Sequence, residues 1–184
     1  KSLNFPLAIP SANKASHISP VSAEDVAQEF KNLLKIIING GPSRIGLEST
    51  VVDLTSEPKI LRPGLISPES VSKVLNKKII INSTSTKIKA PGMLKRHYSP
   101  GIPMKLNQKK AKFNEAFIVF GKKYKKKKNI FNLSYKSNLN EAAKNLYKTL
   151  RSIKNKNYKM ICVSSIPKSG IGLAINDRLN RAAK

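Results

Sequence analysis

Apolar positions recur along the chain in two rhythms, and Pro and Gly punctuate them. Residues 6–9, PLAI, read as the end of a strand, which Pro10 takes out of its sheet. Between residues 21 and 34, Val26, Phe30, Leu33 and Leu34 recur at helical spacing. Ser22 suits the N-cap of that helix, with Asp25 three residues on as a capping-box variant. IIING (36–40) is a short apolar run stopped by Gly40 and Gly41. STVVDL (49–54) and KILRP (59–63) read as strands, SPESVSKVL (67–75) as a short helix and KKIII (77–81) as a further strand.

The rhythm then breaks. Pro91, Gly92, Pro100, Gly101 and Pro103 make residues 88–104 hard to build into helix or strand, so this stretch reads as a linker. Beyond it, AFIVFG (116–121) and MICVSSI (160–166) are apolar runs of strand length. Between them Leu139, Ala143, Leu146, Leu150 and Ile153 form one helical face. The last segment, GIGLAINDRLNRAAK, is Gly-punctuated and then helical, with Ile175, Leu179 and Ala182 on one side. Strands alternating with helices predict an α/β layer with parallel strands. Three parts are expected: residues 1–87, a linker over 88–104, and a small α/β domain over 105–184.

Composition narrows this picture. Hydrophobic residues make up 40% of the 184, enough for a packed core, yet no apolar run approaches the ~20 residues of a membrane helix. The single cysteine, Cys162, excludes an internal disulfide framework and a cysteine-built zinc cluster, and its apolar surroundings predict burial. A cytoplasmic protein with no membrane partner is the expectation. The chain opens without Met on what reads as a strand end and closes inside a helical pattern, so both ends read as cut.

The net charge is +25, for which nucleic acid is the obvious partner. A blander source competes. Of the 35 basic residues 29 are Lys, and the chain holds 17 Asn, which an AT-rich coding sequence produces. Dedicated phosphate readers lean on the planar fork of Arg. Charge is also uneven: residues 1–100 carry a net +7 and residues 101–184 a net +18. KKYKKKK (122–128) reads as a solvated loop, with an RNA contact as the alternative.

Four stretches carry chemistry. PSANKASHISP (10–20) offers Ser11, Asn13, Ser16 and Ser19 in a turn just before a helix, where hydroxyls and backbone N–H groups can cradle phosphate. An ST-turn with a helix cap explains the same residues. GGPSRIGLESTVVDL (40–54) brings Glu48, Ser49 and Thr50 to the mouth of a strand, where a hydroxyl can orient a small ligand or pair across strands. In ILRPG (60–64) the guanidinium of Arg62 is rigidly placed and suits a phosphate, a carboxylate or a surface ion pair. APGMLKRHYSP (90–100) sets Arg96 beside His97 and Tyr98, a group fit for a phosphate and a base, or an exposed linker.

In this order the motifs PSAN with SP eight residues after its Ser, GLESTVVDL, LRPG and PGMLKRHYSP resemble the long, two-domain form of the threonylcarbamoyl-AMP synthase family. The ending GIGLAINDRLNRAAK is similar to the end of that family's second domain. The resemblance is weakest over residues 105–160. It implies an α/β fold: the C-terminal part of a YrdC-like twisted sheet domain, a linker, then a small Rossmann-like domain. It implies an activity that joins L-threonine, bicarbonate and ATP into threonylcarbamoyl-AMP and pyrophosphate, with Mg2+ accompanying ATP. A separate threonylcarbamoyl-transferase complex would carry the group to tRNA adenosine beside the anticodon. Ser11, Ser19 and Arg62 would meet the nucleotide, Asn13 would hold the turn, and Ser49 would meet threonine. His97 and Tyr98 would fold back as a lid over the bound adenylate. The family's N-terminal half, with the basic residues that grip triphosphate and threonine, has no counterpart here, so this chain alone is expected to be inactive. The competing expectation is a non-catalytic module for double-stranded RNA or tRNA, served by the same charge.

Overall fold

A computed structural model of the chain describes residues 3–81, 90, 92–94 and 97–184. Arg96 and most of residues 82–91 lie outside that set. Helix α1 (Ala23–Phe30) starts where the sequence predicts. The Ser22 hydroxyl accepts from the Asp25 amide at 3.3 Å, and Asp25 Oδ2 accepts from the Val21 amide at 2.8 Å. It ends sooner than the apolar spacing implies. Lys31 takes φ +49 and the chain tightens into a 3-10 turn over Lys31–Leu33, because Leu33 and Leu34 meet no core there. Residues 6–9, read as a strand end, pair with no strand among the described residues.

The first sheet joins β1 (Val51–Asp53), β2 (Lys59–Arg62) and β3 (Ile80–Ile81). Strand β2 runs antiparallel to β1 and parallel to β3, so the expectation of parallel strands holds here for one pair only. Helix α2 (Pro68–Leu75) crosses from β2 to β3. Ser67 caps it, Pro68 occupies its first turn, and Asn76 closes it in the left-handed conformation.

The second sheet is parallel throughout. Its strands are β4 (Met104–Lys105), β5 (Ala116–Val119), β6 (Ile130–Asn132) and β7 (Ile161–Val163), in the order β4-β7-β5-β6. Helix α3 (Leu139–Lys154) buries Ala142, Ala143, Leu146, Tyr147, Leu150 and Ile153. Helix α4 (Gly172–Ala182) packs Ile175, Leu179 and Ala182 into the same core. Gly172 is needed at its start: a Cβ there would lie 2.1 Å from the Pro167 carbonyl oxygen. The core of this unit also takes in Ile18, from the turn before α1, and Tyr98, from the linker. The two halves of the chain therefore meet in shared packing, and the candidate site lies at that seam.

Candidate active site

The turn from Ser11 to Ser19 is held by its own side chains. Asn13 Nδ2 donates to the Lys14 carbonyl at 2.9 Å and reaches the His17 carbonyl at 3.5 Å. His17 Nδ1 lies 2.7 Å from Glu29 Oε1 and ties the turn to α1. From the other side, Arg151 of α3 donates to the Ile18 carbonyl. Ser11 is exposed, Ser19 is buried, and both line a cavity of about 220 Å3 together with Gly46, Glu48 and Tyr147.

Arg62 ends β2 and is buried. Its Nε donates to the Ser49 carbonyl at 3.0 Å, and its Nη2 lies 3.3 Å from Ser49 Oγ. Ser49 itself is exposed. The linker lies across this pair. Gly92 has φ +84, and a Cβ on it would come 2.3 Å from Tyr98 Oη and 3.2 Å from Arg62 Cδ, so only glycine fits.

The linker also returns to the first turn. The Ser99 amide donates to the Ser16 carbonyl at 3.0 Å, in a short parallel bridge that sets His17 beside Ser99. Tyr98 is fully buried with φ +62, an uncommon backbone conformation for an aromatic residue and of the kind held at functional sites. Its ring stacks on Tyr147 at 5.6 Å and lies 4.0 Å from the ring of His97. Thus Ser11, Ser19 and Asn13 gather at one place, Ser49, Arg62 and Tyr98 at another, and His97 lies beside Tyr98.

One carboxylate joins the two groups. Glu48 accepts from the Ser19 hydroxyl at 2.6 Å, from the Tyr147 hydroxyl at 2.9 Å and from Arg178 Nε at 2.9 Å. Arg178, wholly buried in α4, also donates to Asp177 Oδ2 at 2.7 Å and to the Pro63 carbonyl at 3.0 Å. Its guanidinium lies 5.1 Å from the centre of the Tyr98 ring, at cation–π distance. Burial disfavours the Glu48 carboxylate, but Arg178 and the hydroxyl of Ser19 outweigh it and hold the carboxyl below its ordinary range. Burial, with Arg178, Arg181 and Arg62 nearby, likewise holds His97 below the ordinary imidazole value, against the pull of Glu48. Burial pushes the Tyr98 phenol up.

Sequence reading missed Glu48 as the hub, and with it Tyr147 and Arg178. A signal existed: Arg178 falls three residues after Ile175, on the apolar face of α4, where an arginine needs a buried partner. Three buried polar atoms here lack a protein partner among the described residues: Asn13 Oδ1, His97 Nδ1 and Tyr98 Oη. Buried polar groups are normally paired, so these are capacity open to a ligand or water. Among the described residues no group of three or more His, Cys, Asp or Glu side chains converges as a metal site.

Comparison with known families places this geometry. A family model described as the C-terminal domain of threonylcarbamoyl-AMP synthase matches residues 66–184. The chain belongs to the threonylcarbamoyl-AMP synthase family. A second family model, described as telomere recombination, matches residues 1–64. The threonylcarbamoyl-AMP synthase of Pyrococcus abyssi is 34% identical, over 97% of this chain and 58% of that protein. The enzyme of the same name from Bacillus subtilis is 31% identical, over 97% of this chain and 57% of its own. The crystal structure of P. abyssi Sua5 complexed with L-threonine superposes with a TM-score of 0.81 at 31% identity, covering 95% of this chain and 56% of that one. The fold is therefore a partial YrdC-like domain followed by the C-terminal domain of this synthase family with its four-stranded parallel sheet. The chain spans a little over half the length of these relatives. No helix of the described residues is long and apolar enough to cross a membrane.

Proposed function

We propose that this chain is the greater part of an L-threonylcarbamoyladenylate synthase, a nucleotidyltransferase serving the threonylcarbamoyl modification of tRNA adenosine. Residues 1–87 form the C-terminal half of its YrdC-like domain, residues 88–104 the linker and lid, and residues 105–184 the small α/β domain. The observation that carries the reading is the return of the linker. Residues 97–99 lie against the Ser11–Ser19 turn, and Tyr98 is buried beside Arg62. The relative solved with L-threonine supports a threonine subsite. A second solved relative is a doubly substituted Sua5 in which a neighbouring His and Tyr are changed to Ala. His97–Tyr98 is the one His–Tyr pair in this sequence.

The reaction needs no protein nucleophile. The threonine amine adds to bicarbonate with loss of water, a carbamate oxygen attacks the α-phosphorus of ATP, and pyrophosphate leaves. Positioning and charge neutralisation accelerate such a displacement. In this scheme Ser11 and Ser19 contact the phosphates, Asn13 shapes their turn, Ser49 meets threonine, and Arg62 neutralises the nucleotide. His97, neutral at pH 7, and Tyr98 cover the adenylate and keep water from the labile carbamate. Mg2+ travels with ATP on its phosphates. The downstream transferase complex takes the product, and tRNA contact is a further use of the exposed lysines at 122–128.

The deciding experiment measures pyrophosphate release from ATP with and without L-threonine and bicarbonate. It compares this chain, a form carrying the additional segment found in its relatives, and that form with Arg62→Ala. Release by the longer form alone, dependent on both co-substrates and lost with Arg62→Ala, is the expected result. A folded longer form that releases none refutes the synthase reading and leaves salt-sensitive RNA binding as the better account.

A further inference from the structure

The α/β domain after the linker does more than carry the lid. We propose that Arg178 and Tyr147 are positioning residues of the nucleotide site, with Arg178 neutralising Glu48 so that a polyphosphate can approach Ser11 and Ser19. The inference rests on the nucleotide reading above.

Three observations carry it. First, Tyr147 of α3 is a wall of the same cavity that Ser11 and Ser19 line. Second, the Ser19 hydroxyl has one proton, and here it is given to Glu48 at 2.6 Å. A phosphate that recruits Ser19 must compete with that carboxylate, and a bare carboxylate there would repel it. Third, the charge that cancels Glu48 comes from the far domain. Arg178 sits in α4, holds Glu48 Oε2 at 2.9 Å, and is itself fully buried. The same guanidinium fixes the Pro63 carbonyl, next to Arg62, and underlies the Tyr98 ring. One side chain of the second domain therefore touches the GLEST strand mouth, the LRPG turn and the lid. Asp177 pairs with Arg181 as well as with Arg178, so removal of Arg178 leaves Asp177 an ion-pair partner but takes from Glu48 the guanidinium that holds it.

The test uses the longer form described above and compares binding of ATP with binding of uncharged adenosine by calorimetry. Arg178→Gln is expected to weaken ATP on the order of tenfold while changing adenosine by less than about twofold. Adding Glu48→Gln to that variant is expected to restore most of the ATP affinity, because the unpaired charge is gone. Glu48→Gln alone, which buries no unpaired anion, guards against a variant that fails to fold and is expected to hold or tighten ATP relative to adenosine. Equal loss of ATP and adenosine in Arg178→Gln, or no recovery in the double variant, overturns the inference while pyrophosphate release by the parent leaves the synthase reading standing. A parent that binds no ATP overturns both.

Discussion

In the β4–β7 sheet, β5 is buried at all four positions and lies between two parallel partners. In the β1–β3 sheet, both residues of the edge strand β3 are exposed. The helices differ in the same way: α3 buries six residues, whereas α1 and α2 bury none. The first region is not short of apolar side chains. Leu3, Phe5, Leu7 and Ile9 alternate as a half-buried strand would, yet they stay between 54% and 77% exposed. An apolar sheet face needs an opposing layer, and Leu61 finds one in Ala90 and Met93 of the linker, whereas the alternating residues 3–9 find none among the described residues. Of the residues buried in that region, Ile18, Ser19 and Arg62 lie at the seam, while Asp53, Ile60, Leu61 and Ile79 are buried in or beside the β1–β3 sheet. The candidate site is thus the place where an incomplete layer borrows a complete one.

The sharpest way to break that contrast is a deletion in the complete layer. Leu146→Ala removes a fully buried side chain from the core shared by α3, β5 and β7, and about 2–5 kcal/mol of stability should go with it. Urea unfolding measures this. A cost under about 1 kcal/mol would mean that the second domain is as loosely packed as the first.

The seam itself comes next. Gly46 has φ +79, and a Cβ on it would lie 2.7 Å from the Lys144 Cα, so the loop before Glu48 rests directly on the α3 backbone. Gly46→Ala is expected to cost ~1–3 kcal/mol and to lower pyrophosphate release by the longer form. Unchanged thermal stability would show that the two halves do not press together there.

Helices and strands of the second domain were largely legible, because each buries one face and the sequence states that face. The spacing of Leu146, Leu150 and Ile153 is the helix. The short strands β4 and β6 were not: two or three residues carry no period, and they are strands because β7 and β5 offer edges to pair with. Residues 6–9 failed the other way, their alternation real and their partner absent among the described residues. In the site, Ser11, Ser19, Arg62, His97 and Tyr98 came from motifs. Glu48 and Arg178 also stood inside quoted motifs, but their pairing with each other and with Tyr147 did not show, since a contact over 130 residues of separation leaves as its local trace only an arginine on an apolar helix face.

A smaller effect is the pH response of the seam. His97 titrates below the ordinary imidazole value of 6.5 in the fold, chiefly through burial. Between the folded and unfolded values the unfolded chain binds more protons, so stability rises with pH there. Stability is therefore whole above about pH 6.5 and is lost as pH falls, with a slope of at most one proton, about 1.4 kcal/mol per pH unit. Glu48 adds its own loss only at lower pH, as its depressed carboxyl protonates. His97→Gln should flatten the upper window alone. Urea unfolding across the pH range would expose the error if the slope there survives the substitution.

The smallest expected effect tests the exposed side of the contrast. Ile36 is 82% exposed, so Ile36→Ala in this chain should change stability by no more than about 0.5 kcal/mol. The same substitution in the longer form is a different experiment. If the added segment supplies the layer that the first region lacks, Ile36 gains cover and its truncation should cost roughly 2 kcal/mol or more. The difference between the two forms, rather than either value, measures how much of the first region waits for a partner. Costs below 0.5 kcal/mol in both forms would mean that the exposed apolar residues are surface, and that the seam with the second domain is the whole of what holds the first region in place.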